Sequence, residues 1–266
     1  MDAKAAKEDR LQALTPNQAE RYARNLAIPE IGLDGQRKLL DAKILVIGAG
    51  GLGSSSLYYL SAAGVGTIAV ADGDRVELSN LQRQILHTDD DIGRMKTRSA
   101  VEKLQRLNGD IKLKPLGITL NARNGMAIMN GFDFVVEASD NFETKFLVND
   151  LCLRAGIPFS HAGISGLMGQ TMTVLPGQSA CYRCVFGKPP PANQIPTTGK
   201  AGVLGAVAGV LGSVQAAEAI KYITGCGRLL SGRMLTYDAL EMQFREIKLP
   251  PPSCALCRRD GGAHQD

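Results

Sequence analysis

The sequence predicts an α/β fold: a Rossmann-like mixed sheet, mainly parallel, with antiparallel strands towards the C-terminus and a structural zinc site. Three observations predict it. A short apolar strand, a glycine-rich turn, a helical run and a second apolar strand follow one another over residues 43–71. Strand-like and helix-like runs then alternate to about residue 175, as in a sheet with crossover helices. Two more strand-like runs and two CxxC pairs occupy the C-terminal part.

At 266 residues the chain fits one large α/β domain or two small ones. The net charge of +4 does not suggest a nucleic-acid surface. Residues 1–10 lack the apolar core of a signal peptide. The most apolar run, 201–214, is too short to span a membrane and reads as a buried helix, with Gly205 and Gly209 suited to close helix packing. The expectation is a cytoplasmic protein with neither nucleic acid nor membrane as partner. In that compartment the CxxC pairs read as metal or redox sites before disulfides.

Residues 11–41 read as N-terminal helices. Thr15-Pro16 caps the first, with Arg21 to Asn25 continuing it, and a second covers 34–39. The strand 44–47 leads into the turn carrying Gly48, Gly50, Gly51 and Gly53. A helix over 54–63 and a strand over 67–71 follow, ending on Asp72. Glycines let the backbone approach a phosphate, and the helix start offers free N–H groups and a positive dipole end. An acid some twenty residues on suits ribose hydroxyls. This much does not separate hydride transfer from ATP chemistry.

The next stretch does. Asp74 is followed by Ser79, Asn80, Leu81, Gln82, Arg83 and Gln84, then by Lys96. Asn80 and Arg83 would share a helix face, where an amide and a cation can hold a triphosphate; the plainer reading is a capping turn and a surface helix. Lys96 opens a helix over 96–107, an unfavourable end for a cation unless an anion sits there. His87 reads as a structural turn residue, and Asp89 to Asp91 as a solvated acidic turn. Strands are expected at 112–115 and 132–138, with a short helix at 124–129. Asp140 and Asn141 fall just past the second of these strands, where open α/β sheets bind ligands. Asp140 can hold Mg²⁺ there, or cap the helix 142–155, in which Cys152 reads as core.

Residues 158–161 and 170–175 read as strands, with His161 as a satisfied structural histidine. Cys181 and Cys184, with Cys254 and Cys257, form a four-thiolate zinc set of closed, structural type; a redox pair is the alternative. Residues 185–200 compose a flexible crossover loop. A long helix covers 201–224, with Gln215, Glu218 and Lys221 marking its emergence at the surface. Cys226 is a turn residue. Strands at 233–238 and 243–248 offer a surface on which a small protein can dock, and 258–266 read as a disordered tail.

From Arg21 to Cys257 these motifs, in this order, resemble the MoeB/ThiF/HesA family, bacterial relatives of ubiquitin-activating enzymes. The resemblance implies a single adenylation domain over 1–260 using ATP. Arg24 would reach across a homodimer interface to the neighbouring subunit's ATP phosphates, and Lys96 would touch those phosphates. Arg24, Arg83, Lys96 and Asp140 would be the catalytic set. The glycine turn, Asp72, Asp74, Ser79, Asn80, Leu81, Gln82 and Asn141 would help hold the nucleotide. The implied substrate is a ubiquitin-like sulfur carrier ending in Gly-Gly, of ThiS or MoaD type. Its carboxylate would attack the α-phosphate and expel pyrophosphate, priming thiocarboxylate formation for thiamine or molybdenum-cofactor synthesis. A sulfurtransferase or cysteine desulfurase would supply sulfur. The sequence departs from the family at two places: Lys145 stands where an arginine is usual, and Thr198 where the loop often carries a cysteine. Rival readings are an NAD-dependent oxidoreductase, activation of another peptide or protein carboxylate, and a non-catalytic partner of an activating enzyme.

Overall fold

In the computed structural model, which describes residues 14–189 and 202–257, the chain opens on a capped helix. Thr15 accepts the Gln18 N–H and Gln18 answers with its side chain, fixing α1 (Pro16–Arg21). The helix does not continue as expected: it breaks at Tyr22 (φ −97°, ψ 12°), and α2 (Ala23–Leu26) starts afresh. Tyr22 is buried and its hydroxyl accepts from Asn108 at 2.8 Å, so a tertiary anchor overrides the local helical tendency. The next elements are α3 (Gly32–Asp41), β1 (Lys43–Ile47), α4 (Gly51–Ala62) and β2 (Thr67–Ala71). Then come α5 (Lys96–Leu107), β3 (Lys112–Leu116), α6 (Gly125–Met129), β4 (Phe134–Glu137) and α7 (Phe142–Ala155). The chain closes with β5 (Phe159–Ser165), β6 (Met168–Val174), α8 (Tyr182–Phe186), α9 (Gly205–Thr224), β7 (Arg233–Asp238) and β8 (Gln243–Lys248).

The strands form one sheet in the order β3-β2-β1-β4-β5-β6-β7-β8. β3 to β5 are parallel, and β6, β7 and β8 join antiparallel. Alternate residues of each central strand feed opposite cores. Ile44, Val46, Ile68 and Val136 pack with Leu57, Leu104 and Leu211 on one face. Leu45, Ile47, Val135 and Phe159 pack with Phe146, Leu151 and Met129 on the other. Cys152 sits in this second core beside Met129. No helix among the described residues is long and apolar enough to cross a membrane.

Several local expectations are corrected. Residues 79–84 form no regular helix; a 3₁₀ turn, Leu78–Asn80, leads into further turns. Asp91 is not solvated but 1% exposed, capping Thr88 and paired with Lys103 and with Arg94 at 3.0 Å. Burial would raise its pKa, yet the Lys103 and Thr88 hydrogen bonds hold it well below the usual carboxylate range. Gln215 and Glu218 do not mark emergence of α9. Both are buried: Gln215 donates to Glu137 O at 2.8 Å, and Glu218 accepts from Leu230 N at 2.6 Å. The crossover-loop positions 190–201, including Thr198, and the tail 258–266 lie outside the described residues.

α9 meets α4 through small side chains. Ser55 and Ser56 donate to Ala208 O at 3.3 Å and Gly212 O at 2.9 Å. A Cβ on Gly212 would lie 2.1 Å from Ser55 Oγ, whereas one on Gly209 meets nothing within 4 Å, so Gly212 and not Gly209 sets this contact. Gly212→Ala should therefore lower stability by about 1–3 kcal/mol through overpacking, measured as the urea midpoint. An unchanged midpoint would show that the helices part freely.

Candidate functional site

β1 pairs with β2 on one side and β4 on the other, so the chain's direction of winding reverses there. The crevice outside the carboxyl ends of β1 and β4 is where such sheets bind ligands. Two loops line it: the glycine turn 48–53 after β1, and 138–141 after β4.

At Gly48 and Gly53 the turn leaves no room for a side chain. Gly48 has φ +102°, and a Cβ there would lie 2.6 Å from Ala138 O; one on Gly53 would lie 2.0 Å from Gly48 O. The peptide of Ala49 is held on both sides. Its N–H donates to Asp72 Oδ2 at 2.8 Å, and its carbonyl accepts from His87 Nε2 at 3.0 Å. Because a carbonyl only accepts, His87 carries its proton on Nε2, and Nδ1 takes the Ser99 hydroxyl at 2.8 Å. Burial lowers the His87 pKa, keeping it neutral. His87 is thus structural, as expected, but its grip on the glycine turn was not legible, because spacing alone does not show which backbone a buried imidazole meets.

Gly50 caps α4 without any side-chain hydrogen bond, as is common here, since among the described α-helices only α1 and α7 are so capped, by Thr15 and Asn141; what sets α4 apart is that its start lies in the crevice. The first N–H groups of α4 are left for another acceptor. Arg83 lies over this end: a Cβ on Gly51 would meet Arg83 O at 3.4 Å and its Cγ at 3.6 Å. Arg83 is half-buried as a residue, and its guanidinium donates to Ser79 O at 3.0 Å. Gln84 is buried beside Gly50, with its Oε1 unpartnered. Asn80 is committed locally, its Oδ1 accepting Glu77 N at 3.2 Å. Ser79 is exposed, Leu81 half-buried, and Gln82 exposed with its amide 3.5 Å from Val203 O.

Asp72 Oδ1 takes Asp74 N at 2.8 Å. Residues 74–76 and 93–96 are tied by backbone bonds, which carries Lys96 back to Asp74: Lys96 Nζ lies 2.9 Å from Asp74 Oδ2. The anion expected opposite this helix-opening lysine is, in the free chain, Asp74. Asp140 is exposed at the end of β4, and the cap of α7 is Asn141, which accepts Thr144 N at 2.8 Å, not Asp140.

Arg24 is not brought to this crevice. It is exposed on α2, and neighbouring Tyr22 packs on Gly64, beyond the far end of α4. The twelve residues of α4 separate that end from the glycine turn by about 18 Å.

The cysteine set assembles as expected. Cys181, Cys184, Cys254 and Cys257 place their sulfurs within 4.8 Å of one another. Pairs lie at 3.7 Å (Cys181–Cys184), 3.5 Å (Cys181–Cys254) and 3.7 Å (Cys184–Cys257). A tetrahedral zinc with Zn–S near 2.3 Å needs S···S of about 3.8 Å, so the four fit that ion. Burial pushes the Cys181 thiol up to about 11. At Cys184 burial is outweighed by N–H bonds from Ser253 and Cys254, bringing it to about 6. The cluster fastens residues 254–257 to α8.

These features define a doubly wound α/β protein with an open, cation-flanked helix start at its switch point. The chain belongs to the ThiF family, which its residues 22–258 match. It is similar to the SAMP-activating enzyme E1 of Haloferax volcanii, 41% identical over 250 residues covering 94% of this chain and 92% of that protein. It is likewise similar to the sulfur carrier protein adenylyltransferase of Thermus thermophilus, 42% identical over 249 residues covering 91% and 92%. Among solved structures it is similar to E. coli MccB with succinimide: TM-score 0.80, 25% identity, covering 96% of this chain and 79% of that one.

The metal assignment has a direct test. Purified protein should carry a single zinc per chain, and Cys254→Ser should lose it and melt earlier, since metal binding is folding energy here. A zinc-free protein with unchanged melting would overturn the assignment.

Proposed function

We propose that this protein is an ATP-dependent adenylyltransferase that activates the C-terminal carboxylate of a small ubiquitin-like sulfur carrier ending in Gly-Gly. The observation that carries the proposal is the uncapped start of α4, with Arg83 across Gly51 and Lys96 held close by on Asp74. An unsatisfied helix terminus flanked by cations suits a polyphosphate. A dinucleotide's pyrophosphate would use the helix start too, so it is the added cations Arg83 and Lys96 that favour ATP. The names of the Thermus and Haloferax relatives support a carrier protein as substrate.

The chemistry asks little of acid–base groups. The carrier carboxylate is already ionised at neutral pH, so its attack on the α-phosphate needs no general base. What it needs is positioning and relief of charge on the phosphate oxygens. In this reading the α4 N–H groups and Arg83 grip the phosphates. Lys96 exchanges its pairing with Asp74 for the nucleotide. Asp72 holds the Ala49 peptide of the turn and accepts from ribose; Asp74, Ser79, Asn80, Leu81, Gln82 and Asn141 shape the pocket wall. Asp140, an exposed carboxylate between two fixed neighbours, would hold Mg²⁺, which supplies further neutralisation. Arg24 is too far to serve its own crevice, which favours a homodimer in which it serves the partner's. The carrier would dock on the β7–β8 edge: every residue of β8 is exposed, with Leu240, Met242 and Phe244 presenting apolar surface. A sulfurtransferase or cysteine desulfurase would then supply the sulfur.

ATP–pyrophosphate exchange should depend on an added ThiS- or MoaD-type carrier; exchange without any carrier, or with none tried, would sink the proposal. Asp140→Ala should abolish exchange without unfolding the protein, and retained activity would remove Asp140 from the site. Mixing inactive Arg24→Ala and Arg83→Ala proteins should restore roughly a quarter of wild-type exchange, because one crevice in each mixed dimer is then intact. No restoration would place Arg24 outside the reaction.

A further inference from the structure

A buried charge network lies directly beneath Asp140, and the proposed chemistry does not use it. Glu137, the last residue of β4, is 0% exposed. Its Oε2 accepts from Lys145 Nζ at 2.9 Å and from His161 Nδ1 at 2.8 Å. Its Oε1 accepts the Ser139 N–H at 2.8 Å and also the Ser139 hydroxyl. Lys145 spends its other two protons on Ser139 O at 2.6 Å and Ala162 O at 2.8 Å. Three of these six bonds involve Ser139.

Such a cluster is a poor way to gain stability, since desolvating the charges consumes most of their attraction. Its geometry serves another end. Glu137 and Lys145 together fix both backbone polar groups of Ser139, the residue before Asp140. On the other side Asn141 is fixed by its cap on α7. One step back, Ala138 touches Gly48 of the glycine turn. The loop is therefore pinned at every residue except the exposed Asp140, and pinned to the same frame that holds the phosphate turn. His161 contributes as a neutral donor: burial lowers its pKa, and its Nε2 is left buried without a partner. An imidazole kept at that cost has its orientation set by Glu137.

We propose that Glu137, Lys145 and His161 are positioning residues for the activation step, holding the Ser139–Asn141 loop so that Asp140 stays at the mouth of the glycine turn; this rests on the reading of Asp140 as the Mg²⁺ residue.

The test uses the full-length protein and the double variant Glu137→Gln/Lys145→Met, which removes both charges without stranding one. In nucleotide-free protein, the amides of residues 139–141 should exchange with solvent about tenfold faster, while those of β1 and β2 are unchanged. The Mg²⁺ concentration for half-maximal exchange activity should rise about tenfold, with less effect on the rate at saturating Mg²⁺. Lys145→Arg, which keeps the charge but replaces three divergent donors by a planar fork, should shift both readouts in the same direction by less. Asp140→Asn is the control. If it abolishes Mg²⁺ dependence while the folded double variant or Lys145→Arg shows wild-type loop exchange and Mg²⁺ response, the positioning role is wrong. If Asp140→Asn itself responds to Mg²⁺ as wild type does, the underlying reading falls and the proposal with it.

Discussion

The architecture of the crevice depends on one close fit, that of the glycine turn against the ends of β1 and β4. Gly48 leaves no space for a Cβ against Ala138 O, and Gly53 none against Gly48 O. Once the turn is seated, the remaining contacts follow in sequence. The Ala49 peptide meets Asp72 and His87, Asp72 meets Asp74, and Asp74 meets Lys96. A side chain at Gly48 would not remove a single contact; it would part the two loops that form the crevice.

The same fit explains the distribution of charge. The structure satisfies the starts of α1 and α7 with Thr15 and Asn141. It leaves α4 open at Gly50 and brings an arginine over it. Leaving N–H groups unpaired beside a cation disfavours the free state slightly and favours any anion that arrives. Lys96 shows the complementary device. Nearly buried, its ammonium would be costly alone, and the far more exposed Asp74 holds it by a contact that water can screen and a phosphate can replace.

The sheet and most helices were legible because their signals are local. The bounds of α5, α7, β7 and β8 follow from caps and periodicity, and the two CxxC pairs foretold a four-sulfur cluster. What was not legible depends on partners distant in sequence. Three consecutive aspartates look like a solvated turn, and nothing near them shows that Asp91 meets Lys103 and Ser99's helix. Gln215 and Glu218 look like the polar end of a helix. They are buried because the edges of β4 and β5 and the Leu230 amide need them. His161 was half legible: one ring nitrogen is satisfied and the other is not. The break at Tyr22 likewise needs Asn108 to explain it.

The two halves of the sheet divide the work by their direction. Parallel strands place all their carboxyl ends at one edge, which is why β1, β2 and β4 can converge three loops on one crevice. Antiparallel strands do not converge ends; they extend a surface. β6, β7 and β8 carry the sheet outward from the crevice and finish on a strand whose side chains are all exposed. A bare edge with Phe244 stacked on Tyr237 at 4.5 Å on one face and Ile247 exposed on the other is a hazard for a protein that meets nothing there. That edge, three strands out from β5, has an unpaired backbone and exposed side chains, the features to which a second polypeptide can add a strand.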